Sequence, residues 1–245
     1  MEHAKTTGIV LKVTKCKNSS LALSVLSPDL GKINIWARGV QSGKNTQRSG
    51  CVLLTYSEFV LQKRGEMYTL CSACPIKTFY HLREDVVKLS YGVYFAELAG
   101  LLYGEGMEAK GAVRLLLNSL HYLENDLKDP LDLKVMYELR LMASAGFAPY
   151  VESCMECGNS EAYTFSPSHG GLLCRACSPL LPLPRNAVIL LRGYVSCNLK
   201  ACLNHSGKEA AKILEPSVEQ FIRYHTDTSP KSLAYLHHIR NTVNL

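Results

Sequence analysis

The chain predicts an α+β protein: an N-terminal five-stranded OB-fold barrel, then an α-helical domain carrying an inserted four-cysteine zinc unit. Three observations carry this prediction. Apolar residues alternate with period two through about the first 75 positions, and the period then lengthens to that of a helix. Four cysteines in two C-x2-C pairs interrupt the helical part. The predicted boundaries are 1–79 for the barrel and 80–245 for the helical domain, with the zinc unit at about 150–180.

Ile9, Leu11 and Val13 alternate with Gly8, Val10 and Lys12. Leu21, Leu23 and Val25 continue the pattern, as do Ile33, Ile35 and Ala37 against Asn34, Trp36 and Arg38. Such alternation is the mark of a half-buried strand. Asn18-Ser19-Ser20 and Ser27-Pro28-Asp29-Leu30-Gly31 supply the turns between these runs. Two more strands are predicted over 52–61 and 66–74, joined by Lys63-Arg64-Gly65. Five short strands in this length suit a small closed barrel.

A helix is predicted over 85–103. Val113, Leu116, Leu117, Leu120 and Leu123 then fall at helical spacing, as do Leu131, Val135, Leu139 and Met142. Gly146 stands where a C-terminal capping glycine is expected. Further helices are predicted over 187–199 and 208–224, the latter kinked or restarted at Pro216.

Cys154 and Cys157 form one C-x2-C pair, and Cys174 and Cys177 form the other after sixteen intervening residues. Two thiolates on one tight turn reach the same ion, and two such turns complete a tetrahedral sulfur shell that suits zinc. Gly158 is placed to supply a positive φ in the first turn. Four protein ligands leave no open position, so the zinc is read as structural. Cys71 and Cys74 lie at a strand end, where this spacing points to opposite faces and to core packing over a redox or second-metal role. Cys197 and Cys202 have only His205 nearby as a further ligand type.

Residues 1–80 hold eleven Lys/Arg against four Asp/Glu, while the rest hold sixteen against seventeen. The net excess of positive charge is thus confined to the barrel, which points to a polyanion and first to nucleic acid. No acidic residue occurs between Asp29 and Glu58, whereas Lys32, Arg38, Lys44 and Arg48 do. The polar, glycine-rich stretch 39–50 reads as a mobile cationic loop able to follow a phosphate backbone. Lys63 and Arg64 are the second choice for this role. Trp36, the only tryptophan, either stacks on a base or packs over the barrel's junction with the helices.

The first residues lack the apolar stretch of a secretory signal, and no apolar run reaches the roughly 18–20 residues of a membrane span. A cytoplasmic protein with reduced thiols is therefore expected. No H-E-x-x-H, G-x-S-x-G, Walker-type or G-x-G-x-x-G motif occurs, so no catalytic residue is assigned and an enzyme is not expected. An RNA-binding barrel, a protein-interaction scaffold and a zinc-dependent enzyme are the competing readings.

The order of these elements resembles the RecO family of bacterial recombination and repair proteins. Gly8-Ile-Val-Leu11, Gly31-Lys-Ile33 and Ala37-Arg-Gly39 resemble its barrel. Leu70 through His81-Leu-Arg83 and Tyr94-x-x-Glu-Leu98 resemble its entry into the helices. Gly146-Phe-x-Pro149, the cysteine quartet with Gly170-Gly171, and Pro230-Lys-Ser232 complete the match. The first hairpin, Lys17-Asn-Ser-Ser20, departs from the glycine and acidic residues frequent there.

The resemblance implies a non-enzymatic protein that binds single- and double-stranded DNA, anneals complementary strands and assists recombinase loading. It also implies association with RecR and with the acidic C-terminal tail of single-stranded-DNA-binding protein, in the bacterial cytoplasm at the nucleoid. Arg114, Lys134 and Arg140 are candidate cations for that tail.

Overall fold

Aliphatic residues at alternate positions build strands β1 (His3–Lys15), β2 (Leu21–Ser27), β3 (Gly31–Ala37), β4 (Tyr56–Arg64) and β5 (Met67–Lys77). The computed structural model describes residues 3–42, 46–65, 67–227 and 229–243, without the side chains of His3, Thr46 and Arg64. The strands close into a barrel in the order β1-β2-β3-β5-β4, with β1 returning to pair with β4. The barrel pairings are antiparallel except that of β3 with β5, which is parallel. The inward positions Val10, Leu23, Val25, Ile33, Ile35, Phe59 and Leu61 form the barrel core.

Within the stretch 39–50, residues 39–42 and 46–50 are held in place, and 43–45 lie outside the described residues. A turn at 39–42 is tied to the first hairpin, and a 3-10 helix spans Thr46–Cys51. Val40 and Cys51, at either side of it, enter the barrel core. Gln47 donates to the Cys71 carbonyl at 3.1 Å and Ser57 to the Gly50 carbonyl at 2.8 Å, so side chains of the connection and of the barrel both fasten it.

Helix α1 (Val86–Leu102) starts where Asp85 accepts the N–H groups of Val87 and Lys88 at 2.8 and 3.1 Å. It buries residues on nearly every side, because it packs on the barrel, on α2 (Lys110–Glu124) and on α7 (Lys231–Thr242). The β2–β3 turn is held to the segment after α1: Lys32 and Gly106 donate backbone N–H groups to Gly104 and Leu30. Gly31 has φ +70 there, and a Cβ would lie 2.2 Å from the Gly104 carbonyl oxygen, so only glycine fits.

Contacts gather residues 1–124 and 230–245 into one compact unit and 125–229 into another. The change from strand to helix near residue 80 therefore falls inside a packing unit. Glu97 on α1 explains why residues after 229 return to it: its carboxylate accepts the backbone N–H groups of Lys231 and Ser232 at 3.2 and 2.8 Å and also the Ser232 hydroxyl. A carboxylate at the positive end of α7 is a helix cap supplied from another element.

The second unit contains α3 (Pro130–Ser144), strands β6 (Ala162–Ser166) and β7 (Gly171–Cys174), α4 (Arg185–Ser196), α5 (Leu199–Asn204) and α6 (Lys208–Thr226). Asp129 caps α3 ahead of Pro130, and Gly146 follows with φ +93 as the capping glycine. The predicted helix over 187–199 ends at Ser196, and α5 begins anew behind Asn198, whose side chain accepts the Ala201 N–H at 2.9 Å. Helix α6 runs through Pro216 without restarting; Leu214, Val218, Phe221 and Ile222 bury on both sides of the proline, and packing on α3 and α4 outweighs the one lost N–H.

Candidate nucleic-acid interface and metal centre

Strand alternation gives β3 an inner face of Ile33, Ile35 and Ala37 and an outer face of Lys32, Asn34 and Trp36, continued by Arg38. The two cations at its ends have different surroundings. Lys32 is half-buried, and its ammonium donates to the Gly100 carbonyl at 2.6 Å, in the last turn of α1, where a positive charge meets the negative end of the helix. Arg38 is exposed, and among the described residues no carboxylate pairs with it.

Trp36 is half-exposed and outside the barrel core. Its cross-strand neighbours are Ala22 on β2 and Thr69 on β5, both too small to cover an indole. Lys17, Asn18, Ser20, Arg38 and Gly39 line a cleft of about 330 Å³ with Trp36.

Arg48 is exposed in the last turn of the 3-10 helix, also without a carboxylate partner among the described residues. Lys44 lies outside the described residues. Lys63 is exposed on the β4–β5 hairpin, 3.8 Å from Glu105 and over the Tyr68 ring. Arg64 pairs with Met67 across that hairpin, and its side chain is outside the described residues.

The four cysteines Cys154, Cys157, Cys174 and Cys177 come together with all ligand sulfurs within 4.8 Å of one another. Cys157 and Cys174 lie 3.6 Å apart. A tetrahedron of zinc–sulfur bonds of about 2.3 Å has edges of about 3.8 Å, so the quartet fits such an ion. The hairpin makes this possible: Met155 donates to the Leu172 carbonyl at 3.0 Å, fastening the first knuckle onto β7. Gly158 has φ +74 and donates to the Cys154 carbonyl at 2.9 Å, the turn expected of it. Arg192 on α4 donates to the carbonyls of Val151 and Ala162, bracing both sides of the unit.

Electrostatics favour a thiolate at Cys154. Burial alone would raise its pKa, but backbone N–H groups of Cys174, Cys157 and Glu156 outweigh it and bring the thiol down to about 6. Cys177 moves the other way, to about 12, chiefly through hydrogen bonding with the neighbouring Cys174 and Cys157 sulfurs. A cation at the centre removes this competition by holding every sulfur as thiolate.

Several sequence expectations change. Cys71 and Cys74 are both exposed. Leu61 pairs with Leu70 and Val60 with Ser72, which leaves Cys71 as the extra residue of a bulge and shifts the alternation after it. Both cysteines therefore face outward, neither in the core nor on opposite faces. Lys134 is fully buried, 2.9, 3.2 and 2.7 Å from Glu138, Glu215 and Glu219, so it is not a docking cation for a peptide tail. Burial opposes its charge, but the three carboxylates raise its pKa above the usual lysine value. Arg140 donates to the carbonyls of Tyr194 and Cys197, whereas Arg114 is exposed. Among the described residues, no helix is long and apolar enough to cross a membrane.

Residues 1–79 match the family described as recombination protein O N terminal, and residues 83–234 match recombination protein O C terminal. A DNA repair protein RecO from Acetivibrio thermocellus is 35 % identical over 179 residues, covering 72 % of this chain and 71 % of its own. One from Dehalococcoides mccartyi is 30 % identical over 244 residues, covering 96 % of each chain. One from Desulforudis audaxviator is 31 % identical over 248 residues, covering 96 % of this chain and 97 % of its own. With a closed five-stranded barrel, the helices that follow and the cysteine quartet all in place, the chain belongs to the RecO family of recombination protein O.

Proposed function

We propose that this chain is a non-enzymatic DNA-binding and strand-annealing protein of recombinational DNA repair that assists recombinase loading onto single-stranded DNA. The observation that carries the reading is the outward row on β3 and its continuation, where Arg38 and then Arg48 stand exposed with no described carboxylate against them. Membership of a family whose relatives are named DNA repair proteins supports the choice of DNA. On this reading residues 1–79 bind single- and double-stranded DNA, with Arg38, Lys44 and Arg48 as leading contacts, Lys63 and Arg64 as secondary ones, and Lys32 anchoring the barrel to α1. Residues 80–245 carry the structural zinc and the surfaces for RecR and for the acidic tail of single-stranded-DNA-binding protein, in the bacterial cytoplasm at the nucleoid.

Annealing requires two polyanions to approach with their pairing edges free. Cations that neutralise phosphates lower the repulsion and leave the edges untouched, so no covalent step is needed. Cys154, Cys157, Cys174 and Cys177 would hold a zinc ion that cross-links two knuckles and leaves no open position for reaction chemistry.

The test is single-strand binding and strand annealing across a salt range, with wild type and an Arg38→Glu/Lys44→Glu/Arg48→Glu variant. Neutralising about four phosphates gives a salt slope near −3 for wild type, and the variant should lose most of it together with annealing. Unchanged affinity and slope in the variant would replace this reading with that of a protein scaffold. Clear preference for RNA over a matched DNA oligomer would replace DNA as the ligand.

A further inference from the structure

The cleft beside Trp36 combines three properties that a phosphate-only surface does not need. The first is an aromatic side chain partly exposed to the cleft. Along β3 the indole is flanked by Asn34 and Arg38, both exposed, and across the strands by Ala22 and Thr69. Burying an aromatic of this size is ordinarily favourable, yet its two direct cross-strand neighbours are small.

The second is charge of one sign. The lining contributes Lys17 and Arg38 and no carboxylate. The third is a held wall. Asn18 and Ser19 take positive φ values of 56 and 54, making a tight turn closed by the Cys16 N–H to the Ser20 carbonyl at 2.9 Å. Gln41 then donates its backbone N–H to Ser19 and its side-chain amide to Ser20, at 3.0 and 2.8 Å, clamping the segment after Arg38 against that turn. The backbone segments that carry the two cations are therefore held beside the indole before any ligand arrives.

Resting on the reading of the barrel as the nucleic-acid-binding part, we propose that this cleft is a base-stacking subsite: one unpaired base lies on the Trp36 indole while Arg38 and Lys17 take the phosphates flanking it. A stacked base is held by its face, and its pairing edge stays free, which is compatible with annealing. In a duplex both faces of each base are already covered by neighbours, so the subsite selects single strands over duplex. A cleft of about 330 Å³ is at the small end of ligand-binding pockets, which suits one nucleotide and not a longer stacked run.

Because Trp36 is the only tryptophan, its fluorescence reports this cleft alone. The full chain is titrated with a thymidine oligomer, with an abasic oligomer of equal length and with a duplex. Expected is a saturable change in indole emission with the thymidine oligomer, and none with the abasic oligomer or the duplex. Trp36→Ala should weaken thymidine-oligomer binding about 5- to 150-fold and leave abasic binding unchanged, with Trp36→Phe retaining most of the affinity. Bound oligomer without any emission change in wild type overturns the subsite, and this needs no variant to fold. If the thymidine and abasic oligomers bind equally with the same salt slope, the subsite fails and the basic barrel stands. If neither binds, both fail.

Discussion

Lys32 and Arg38 point from the same face of one strand, yet their surroundings assign them different work. The Lys32 ammonium closes the end of α1, so Lys32→Met should lower stability by about 0.5–1 kcal/mol in a denaturant titration while leaving the DNA salt slope intact. Arg38→Ala should do the reverse, reducing the single-strand slope by about 0.7, the share of one phosphate. Cys51 gives a second test at this scale. Burial in the barrel pushes its thiol from 9.0 up to about 11. The unfolded thiol ionises first, so stability should fall as pH rises from about 9 to 11, by about 2–3 kcal/mol, and Cys51→Ala should flatten that decline. Chemical denaturation at a series of alkaline pH values measures it.

Elements here are joined by charges that belong to their neighbours. Helix α7 has no side-chain cap of its own, and only Leu233 and Leu236 bury fully, so its sequence carries little periodic signal. Its start is set by Glu97, 133 residues earlier than Pro230. Glu97→Gln should cost about 1–2 kcal/mol in thermal or denaturant unfolding, because a charged acceptor at a helix N-terminus becomes neutral. Two segments that resemble the family separately, Tyr94-x-x-Glu-Leu98 and Pro230-Lys-Ser232, are thus one physical contact. On α3 and α6 the balance is harsher. Lys134→Met would leave Glu138, Glu215 and Glu219 crowded without their cation and should destabilise by about 3–5 kcal/mol, whereas exposed Lys212→Met should be nearly neutral.

Over the whole molecule, the quartet and the basic barrel belong to separate compact units. Mass spectrometry under native conditions should find one zinc per chain. A strong chelator should lower thermal stability, and lowering pH should release the ion as thiolates are protonated. Single-strand affinity and its salt slope should survive chelation. Loss of DNA binding in step with zinc loss would contradict the division of labour proposed for the two parts of the chain.

The barrel strands, most helices, the cysteine quartet and the sign of the barrel's charge are legible in the amino-acid order alone. These rest on local periodicity, fixed ligand spacing and composition, none of which needs a third dimension. Which cations are available depends on packing. Lys134 and Arg38 look alike in a string of letters, but one is enclosed by three carboxylates from two helices and the other meets solvent. A single-residue bulge turned Cys71 and Cys74 outward, and Trp36, with small neighbours on two strands, stays partly exposed. Each of these outcomes depends on residues distant in the chain, and burial, pairing and register are properties of such neighbours, set only when the elements pack.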